Sequence, residues 1–243
     1  MTIKIIFAGG GTAGHVEPAL AVASWLRSKK PDWQYQFIGT KTGLENQLVP
    51  EAGFELRHIP KVLMPRQLTP STLFWPVKIL IATWQGIKIC KDADLIIGFG
   101  GYACPPLYLA GAILRKPIFI HEANAIPGWA NKLGAPFASK IFIAFSRAGL
   151  KIGRWKNAIL SGMPIRAEII SSTFESKEVI STKRQAQLGK WRLSADKQTV
   201  LVFGGSLGSR HINEAILQSL ARFTEKGVQV VHSVGRNNPL PPR

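Results

Sequence analysis

Acidic residues are scarce in this chain. Fourteen Asp and Glu stand against 31 Lys and Arg, a formal net charge of +17 over 243 residues. Such an excess favours polyanions: nucleic acid, anionic lipid or phosphate-bearing substrates. The basic residues are spread out with no dense tract, so no nucleic-acid partner is expected. A uniformly basic proteome would give the same balance. Cysteine is nearly missing: Cys90 and Cys104 supply neither a disulfide framework nor metal-ligand spacing, and a reducing, cytoplasmic setting is expected. No uninterrupted apolar run is long enough to span a bilayer. The first apolar run lacks the basic segment of a signal peptide, and glycines end it early.

What is present begins with the turn Ile3-Lys-Ile-Ile-Phe-Ala-Gly-Gly-Gly-Thr-Ala-Gly-His-Val-Glu-Pro18. An apolar run breaks into glycines (Gly9, Gly10, Gly11, Gly14) before a helix-like run. Glycines let backbone N–H groups approach an anion, and a helix N-terminus adds partial positive charge. His15 at the exit of the loop places a titratable group beside this cradle. The spacing Gly9-x-Gly11-x-x-Gly14 also fits the dinucleotide fingerprint, but a NAD site needs an acid at the end of the second strand. That strand ends Ile38-Gly-Thr40-Lys41 with none, which argues against an oxidoreductase, and no cofactor is implied.

Strand-like and helix-like runs alternate. Strands are expected at 3–8, 34–38, 56–59, 94–99, 117–121, 140–145, 157–161, 199–203 and 228–234. Helices are expected at 18–28, 44–52, 73–91, 105–114, 128–137 and 209–225, with a short one at 182–189. This is the pattern of an α/β chain with a parallel, doubly wound sheet and ligands at the carboxyl ends of its strands. Two further glycine turns follow strands, Gly98-Phe-Gly-Gly-Tyr102 and Gly204-Gly-Ser-Leu-Gly-Ser209. Glycines also simply close tight turns, yet three such loops suggest several phosphate-facing turns around a cleft. The polar stretch 165–198 reads as the connection between a domain at 1–164 and the start of a second at 199–243. That last piece is too small to bury a two-sided sheet alone, so it packs on the first domain or belongs to a longer second domain.

The motifs Gly10-Gly-Thr-Ala-Gly-His-Val-Glu-Pro18, Ile38-Gly-Thr40 with Glu45, Gly98–Tyr102, His121-Glu-Ala-Asn124, Asn131-Lys132, Gly162-Met-Pro-Ile-Arg166 and Gly204–Ser209 occur in this order across essentially the whole chain. In this respect the chain resembles the MurG family, peripheral membrane glycosyltransferases that add N-acetylglucosamine to lipid I to form lipid II for peptidoglycan. The resemblance implies a GT-B fold: one complete Rossmann-like domain for acceptor and membrane, then the start of a second for the donor. It implies UDP-N-acetylglucosamine, lipid I and an anionic membrane surface as partners, at the cytoplasmic face of the plasma membrane. The chain departs from the family at Ala13, usually Gly, and at Glu17, usually aromatic. The family's second domain also continues beyond the equivalent of Arg243. A non-catalytic acceptor-binding half, with a separately encoded chain completing the donor domain, is therefore the rival reading, as is an inactive remnant.

An inverting transfer to a sugar hydroxyl needs a base beside the acceptor oxygen. His15 is the catalytic candidate, and the resemblance puts a functional histidine there; the alternative is a histidine that only holds the loop. Thr12, Ala13 and Gly14 would offer N–H groups, and Thr12 a hydroxyl, to a diphosphate or sugar, with Gly11 beside them. Glu122 and Asn124 follow a strand at its carboxyl end, where by resemblance Asn124 contacts donor sugar or acceptor. His121 reads equally as a packed strand-end residue. Arg166 matches a family arginine near the donor and suits a phosphate. Ser206, with Gly205, would serve the donor diphosphate; Gly101 and Tyr102 in the second loop are further candidates. No metal site is expected, because Asp92-Ala-Asp94 precedes its strand, away from the ligand edge. The helix at 73–91 carries Phe74, Trp75, Leu80 and Trp84 with Lys78, an apolar surface with basic flanks suited to anionic lipid. Its alternative is a helix covering the sheet through Leu80, Ile81 and Ile87.

Overall fold

A computed structural model describes residues 2–63, 74–146, 153–172, 174–205, 208–235 and 238–239. Two compact units divide the chain, Met1–Ile170 and Ser171–Arg243.

The first unit is built on seven strands: β1 (Lys4–Ala8), β2 (Gln34–Gly39), β3 (Glu55–His58), β4 (Leu95–Gly98), β5 (Ile118–Glu122), β6 (Lys140–Ile143) and β7 (Ile159–Leu160). All pairings are parallel and the spatial order is β3-β2-β1-β4-β5-β6-β7. The direction of winding reverses between β1 and β4, and a crevice opens there at the strands' carboxyl ends.

Side-chain alternation along β1 builds two cores, one on each face of the sheet. Ile5 and Phe7 join Phe37, Ile97 and Phe99 beneath Val16, Ala19, Leu20 and Ala23 of α1 (Ala13–Lys29). Ile6 and Ala8 join Ile96, Ile118 and Ile120 beneath Leu107 and Tyr108 of α4 (Cys104–Ile113), Cys90 of α3 (Trp75–Cys90) and Ala130 of α5 (Trp129–Gly134). The ring of Phe7 stacks on Phe37 at 5.0 Å. Helix α2 (Glu45–Glu51) follows β2, and α6 (Ala167–Ser172) runs across the division at Ile170.

Three helices differ from the sequence expectation, and the first of them bears on the site. Helix α1 begins at Ala13 rather than at 18, so Gly14, His15 and Glu17 belong to its opening turns and Pro18 lies inside it. The short helix expected at 182–189 is α7 (Lys177–Trp191), capped by Ser176, whose hydroxyl accepts from the Val179 amide. Helix α6 is an addition to the expected set.

In the second unit, β8 (Thr199–Phe203) and β9 (Gln229–Ser233) pair in parallel beside α8 (Arg210–Glu225). Leu201 and Phe203 are 62% and 66% exposed, and α8 buries none of its described residues.

Helix α3 turns Ile79, Ala82, Thr83, Gly86 and Cys90 inward and leaves Phe74, Val77, Leu80, Ile81 and Trp84 exposed. Leu80 and Ile81 are thus on the outer face, not the sheet-covering one. Trp75 turns the other way and packs against the cluster of Val62, Ile79 and Ala82; of the aromatic residues expected at a membrane, it is the one set apart from the exposed face. Lys78 is exposed, and Lys88 lies 3.3 Å from the centroid of the Trp84 ring. No helix among the described residues is long and apolar enough to cross a membrane.

Candidate functional site

Three loops at the carboxyl ends of β1, β4 and β5 enclose a cleft of about 180 Å³, lined among others by Gly11, Thr12, His15, Gly100, Tyr102 and Asn124. The first two loops touch through main chain. Gly101 sits at φ +90°, and a Cβ there would collide with the Gly10 carbonyl oxygen. Gly100, at φ +94°, presents its backbone to the His15 ring, where a Cβ would lie 3.1 Å from Nε2. Only glycine meets both demands, a left-handed backbone and no side chain.

His15 stands in the first turn of α1. Its Nδ1 lies 3.2 Å from the Gly10 carbonyl oxygen and 3.3 Å from Thr12 Oγ1. A carbonyl only accepts, so the Gly10 contact is a hydrogen bond in the form with the proton on Nδ1, which makes Nε2 the basic nitrogen; the Thr12 hydroxyl can serve either form. Among the described residues Nε2 has no hydrogen-bond partner. The Thr12 carbonyl accepts from the amides of His15 and Val16, while the amides of Ala13 and Gly14 find no acceptor among the described residues. The open end of a 17-residue helix therefore sits beside the basic nitrogen.

Glu122 is wholly buried and acts inward. Oε1 accepts from the Asn124 amide (2.8 Å) and Asn124 Nδ2 (2.9 Å); Oε2 accepts from the Gly128 amide (2.9 Å) and Asn131 Nδ2 (3.1 Å). One carboxylate thus shapes the whole loop after β5 and leaves Asn124 Oδ1 exposed. Beneath it, Tyr108 Oη donates to Asn131 Oδ1 at 2.8 Å. His121 Nε2 donates to the Gly162 carbonyl (3.1 Å), and its buried Nδ1 has no partner among the described residues. Burial pulls the His121 ring below its ordinary 6.5, against weaker upward pulls from Gly162 and Glu122. His121 is thereby a packed strand-end residue.

Arg166 is not among the residues lining the cleft. Its guanidinium forms a two-pronged ion pair with Glu17 of α1, the Nε contact measuring 2.7 Å. Ser206 lies outside the described residues. Gly205 belongs to the second unit, at φ +81° in the turn after β8. Tyr102 stands at the cleft with Lys61 Nζ 4.7 Å from its ring centroid. Asp94 serves the opposite end of the sheet, accepting from the Lys4 amide at 2.8 Å.

Sequence reasoning did not assign a site role to Gly100, Gly128, Trp129 or Asn131, which line the cleft, or to Glu45. Glu45 and Asn131 stood inside quoted motifs, but a buried carboxylate and a buried amide carry no periodic signal that separates them from surface polar residues.

Residues 5–143 match the model of the glycosyltransferase family 28 N-terminal domain, and residues 199–242 that of the family 28 C-terminal domain. The chain belongs to glycosyltransferase family 28. The resemblance to MurG holds at the level of whole-chain identity. The UDP-N-acetylglucosamine–N-acetylmuramyl-(pentapeptide) pyrophosphoryl-undecaprenol N-acetylglucosamine transferase of Thermobifida fusca is 42% identical over 97% of this chain. The enzyme of the same name from Streptomyces coelicolor is 40% identical over 98%. This chain spans 60% and 63% of those two relatives' lengths. Among solved structures, MurG of Acinetobacter baumannii matches with a TM-score of 0.64 at 26% identity, over 98% of this chain and 60% of that one. An S. aureus MnaA–UDP structure shares the fold at 14% identity, TM-score 0.60.

Proposed function

We propose that this family 28 chain takes part in inverting transfer of N-acetylglucosamine from UDP-N-acetylglucosamine to lipid I, the lipid II-forming step of peptidoglycan synthesis. The observation that carries the reading is His15 Nε2, facing a cleft beside helix N-terminal amides, all without a partner among the described residues. In the step, the acceptor hydroxyl oxygen forms a bond to C1 of the donor sugar. The C1–phosphate oxygen bond breaks on the opposite side, and UDP leaves with the electron pair. The hydroxyl proton passes to His15 Nε2. Asn124 Oδ1 and Thr12 Oγ1 are the side-chain groups that would orient a sugar. The amides of Ala13 and Gly14 would meet negative charge.

The cleft's size supports a division of labour. At about 180 Å³ it falls below the ~300–1,000 Å³ that encloses a drug-sized ligand. It suits a sugar ring rather than a whole nucleotide-sugar. Ser206 and Gly205 remain the candidates for the donor diphosphate; Arg166, the other phosphate candidate, is paired with Glu17. The domain assignment at 1–164, 165–198 and 199–243 belongs to this reading. So do a cytoplasmic-face, peripheral membrane location through α3, and roles in cell shape and division. The alternative is a non-catalytic acceptor-binding half, with a partner chain completing donor binding.

The test is a transfer assay on the 243-residue chain with UDP-N-acetylglucosamine and a soluble lipid I analogue, product read by mass. Disaccharide formation supports catalysis by this chain. Acceptor binding by calorimetry without transfer supports the non-catalytic half. Neither binding nor transfer overturns both.

A further inference from the structure

Glu45 is 0% exposed and opens α2, far in sequence from the first glycine loop. Its carboxylate has no basic partner among the described residues. It accepts instead from neutral donors: Oε2 from the Gly11 amide at 2.8 Å, and Oε1 from the Thr40 amide at 2.8 Å and Thr40 Oγ1 at 3.1 Å. Three glycines make room for it. A Cβ at Gly10 would lie 2.7 Å from Glu45 Oε1, and a Cβ at Gly39 or Gly43 would collide with the same side chain. Burying a carboxylate this way is costly unless its donors are held in place.

The peptide group that Glu45 grips is the one His15 grips from the other side. The N–H of the Gly10–Gly11 peptide, on Gly11, donates to Glu45. Its carbonyl, on Gly10, accepts from His15 Nδ1 at 3.2 Å. Hydrogen bonds in series polarise one another. A carboxylate pulling on the N–H raises the electron density of the carbonyl and strengthens its hold on Nδ1–H. The partner of one ring nitrogen decides which nitrogen is the base.

Resting on the reading of His15 as the base, we propose that Glu45 is a positioning residue that acts on His15 through the Gly10–Gly11 peptide, locking the ring in the Nδ1–H form with Nε2 free toward the acceptor. The same arrangement occupies the Gly11 amide. The first glycine loop therefore offers a ligand the amides of Ala13 and Gly14, not that of Gly11, and a buried carboxylate stands behind it. An anion is disfavoured at Gly11, and a neutral sugar is favoured there.

The experiment is nitrogen-15 NMR of the imidazoles in the full 243-residue chain at a pH where the ring is neutral, with amide exchange measured in parallel. Wild type is expected to show His15 mainly as the Nδ1–H form and a protected Gly11 amide. Glu45→Gln keeps the shape but offers one acceptor oxygen for two groups of donors. His15 is expected to lose its preference toward the Nε2–H form that free histidine favours, and Gly11 exchange to speed up. Thr40→Val removes only the hydroxyl contact and is expected to leave the His15 form unchanged, which separates the relay from general loosening of the loop. A folded Glu45→Gln chain with the wild-type His15 form overturns the proposal. If that variant does not fold, wild type decides: an Nε2–H ring or an unprotected Gly11 amide overturns it, and the opposite pair of results sustains it. Normal transfer by His15→Ala, with the His15 form still following Glu45 in the NMR series, would remove the base reading and leave the relay standing.

Discussion

The Tyr108 hydroxyl donates to Asn131 Oδ1 at 2.8 Å, directly under the loop that carries Asn124. Burial pushes this hydroxyl well above its ordinary 10.0, so it remains a donor. Gly98 and Gly134 stand against the tyrosine ring, and a Cβ at either would collide with it. Tyr108→Phe leaves a buried acceptor unpaired and is expected to destabilise the chain by about 1–3 kcal/mol. Denaturant unfolding checks this, and an unchanged midpoint would show that Asn131 finds another donor.

His15→Ala should lower transfer by roughly 10²–10⁴-fold in any preparation of this chain that turns over, with acceptor affinity little changed. Initial rates and acceptor calorimetry on the same protein separate the two. A large loss of acceptor affinity with unaltered turnover would mean that His15 binds rather than catalyses.

His121 makes stability depend on pH in a definite direction. Burial lowers its folded-state value below 6.5, so the unfolded chain takes up the proton first. Stability from this group is complete above about pH 6.5 and is lost as pH falls from there toward the folded-state value. Protonation would also place an N–H on Nδ1, which has no partner among the described residues. His121→Gln, which can still donate to the Gly162 carbonyl, should flatten the fall in unfolding midpoint between pH 7.5 and pH 5. An equally steep fall would assign the effect to another group.

Both cysteines should be silent. Burial raises Cys90 to about 12 and Cys104 to about 11, and Cys104 Sγ is held by the carbonyls of Ala8 and Gly100. Alkylation at pH 8 should therefore be slow until denaturant opens the fold, since the thiolate is the reacting species. Fast labelling of native protein would contradict the burial of both.

The exposed face of α3 should bind vesicles containing anionic lipid, and less so at high salt, because screening weakens the contribution of Lys78 and Lys88. Leu80→Ser with Trp84→Ser should reduce co-sedimentation strongly. Trp75→Ser should act mainly on stability, because that ring packs against Val62 and Ile79. Salt-independent binding to neutral vesicles would count against an electrostatic component.

Legibility in the sequence followed the range of the interactions. Strand β8 falls on the expected residues 199–203, because a run of five β-formers is bounded by Gln198 and Gly204. Helix α1 starts five residues earlier than expected, because Gly14 and Pro18 are poor helix residues whose cost is offset by burial of Val16 and Ala19 against the sheet. His15 and Asn124 were visible through their motifs. Glu45 also stood in a motif, but its role did not show, since its decisive partner Gly11 is 34 positions away and no periodic pattern announces a carboxylate that turns inward. Arg166 was expected near phosphate, and its pairing with Glu17 across 149 positions is equally invisible to spacing.

The contact of Gly101 on the Gly10 carbonyl has a thermodynamic consequence. Where the two loops meet, the cleft is bounded by peptide groups rather than side chains. Peptide groups in a packed turn have no rotamers to surrender when a guest arrives. Docking a ligand side by side with them therefore avoids the ~0.5–1.5 kcal/mol usually lost for each long side chain that must be immobilised. The discrimination such a wall exerts comes from shape already present before binding, so its contribution to selectivity should be largely enthalpic and should survive changes of side chain elsewhere in the cleft.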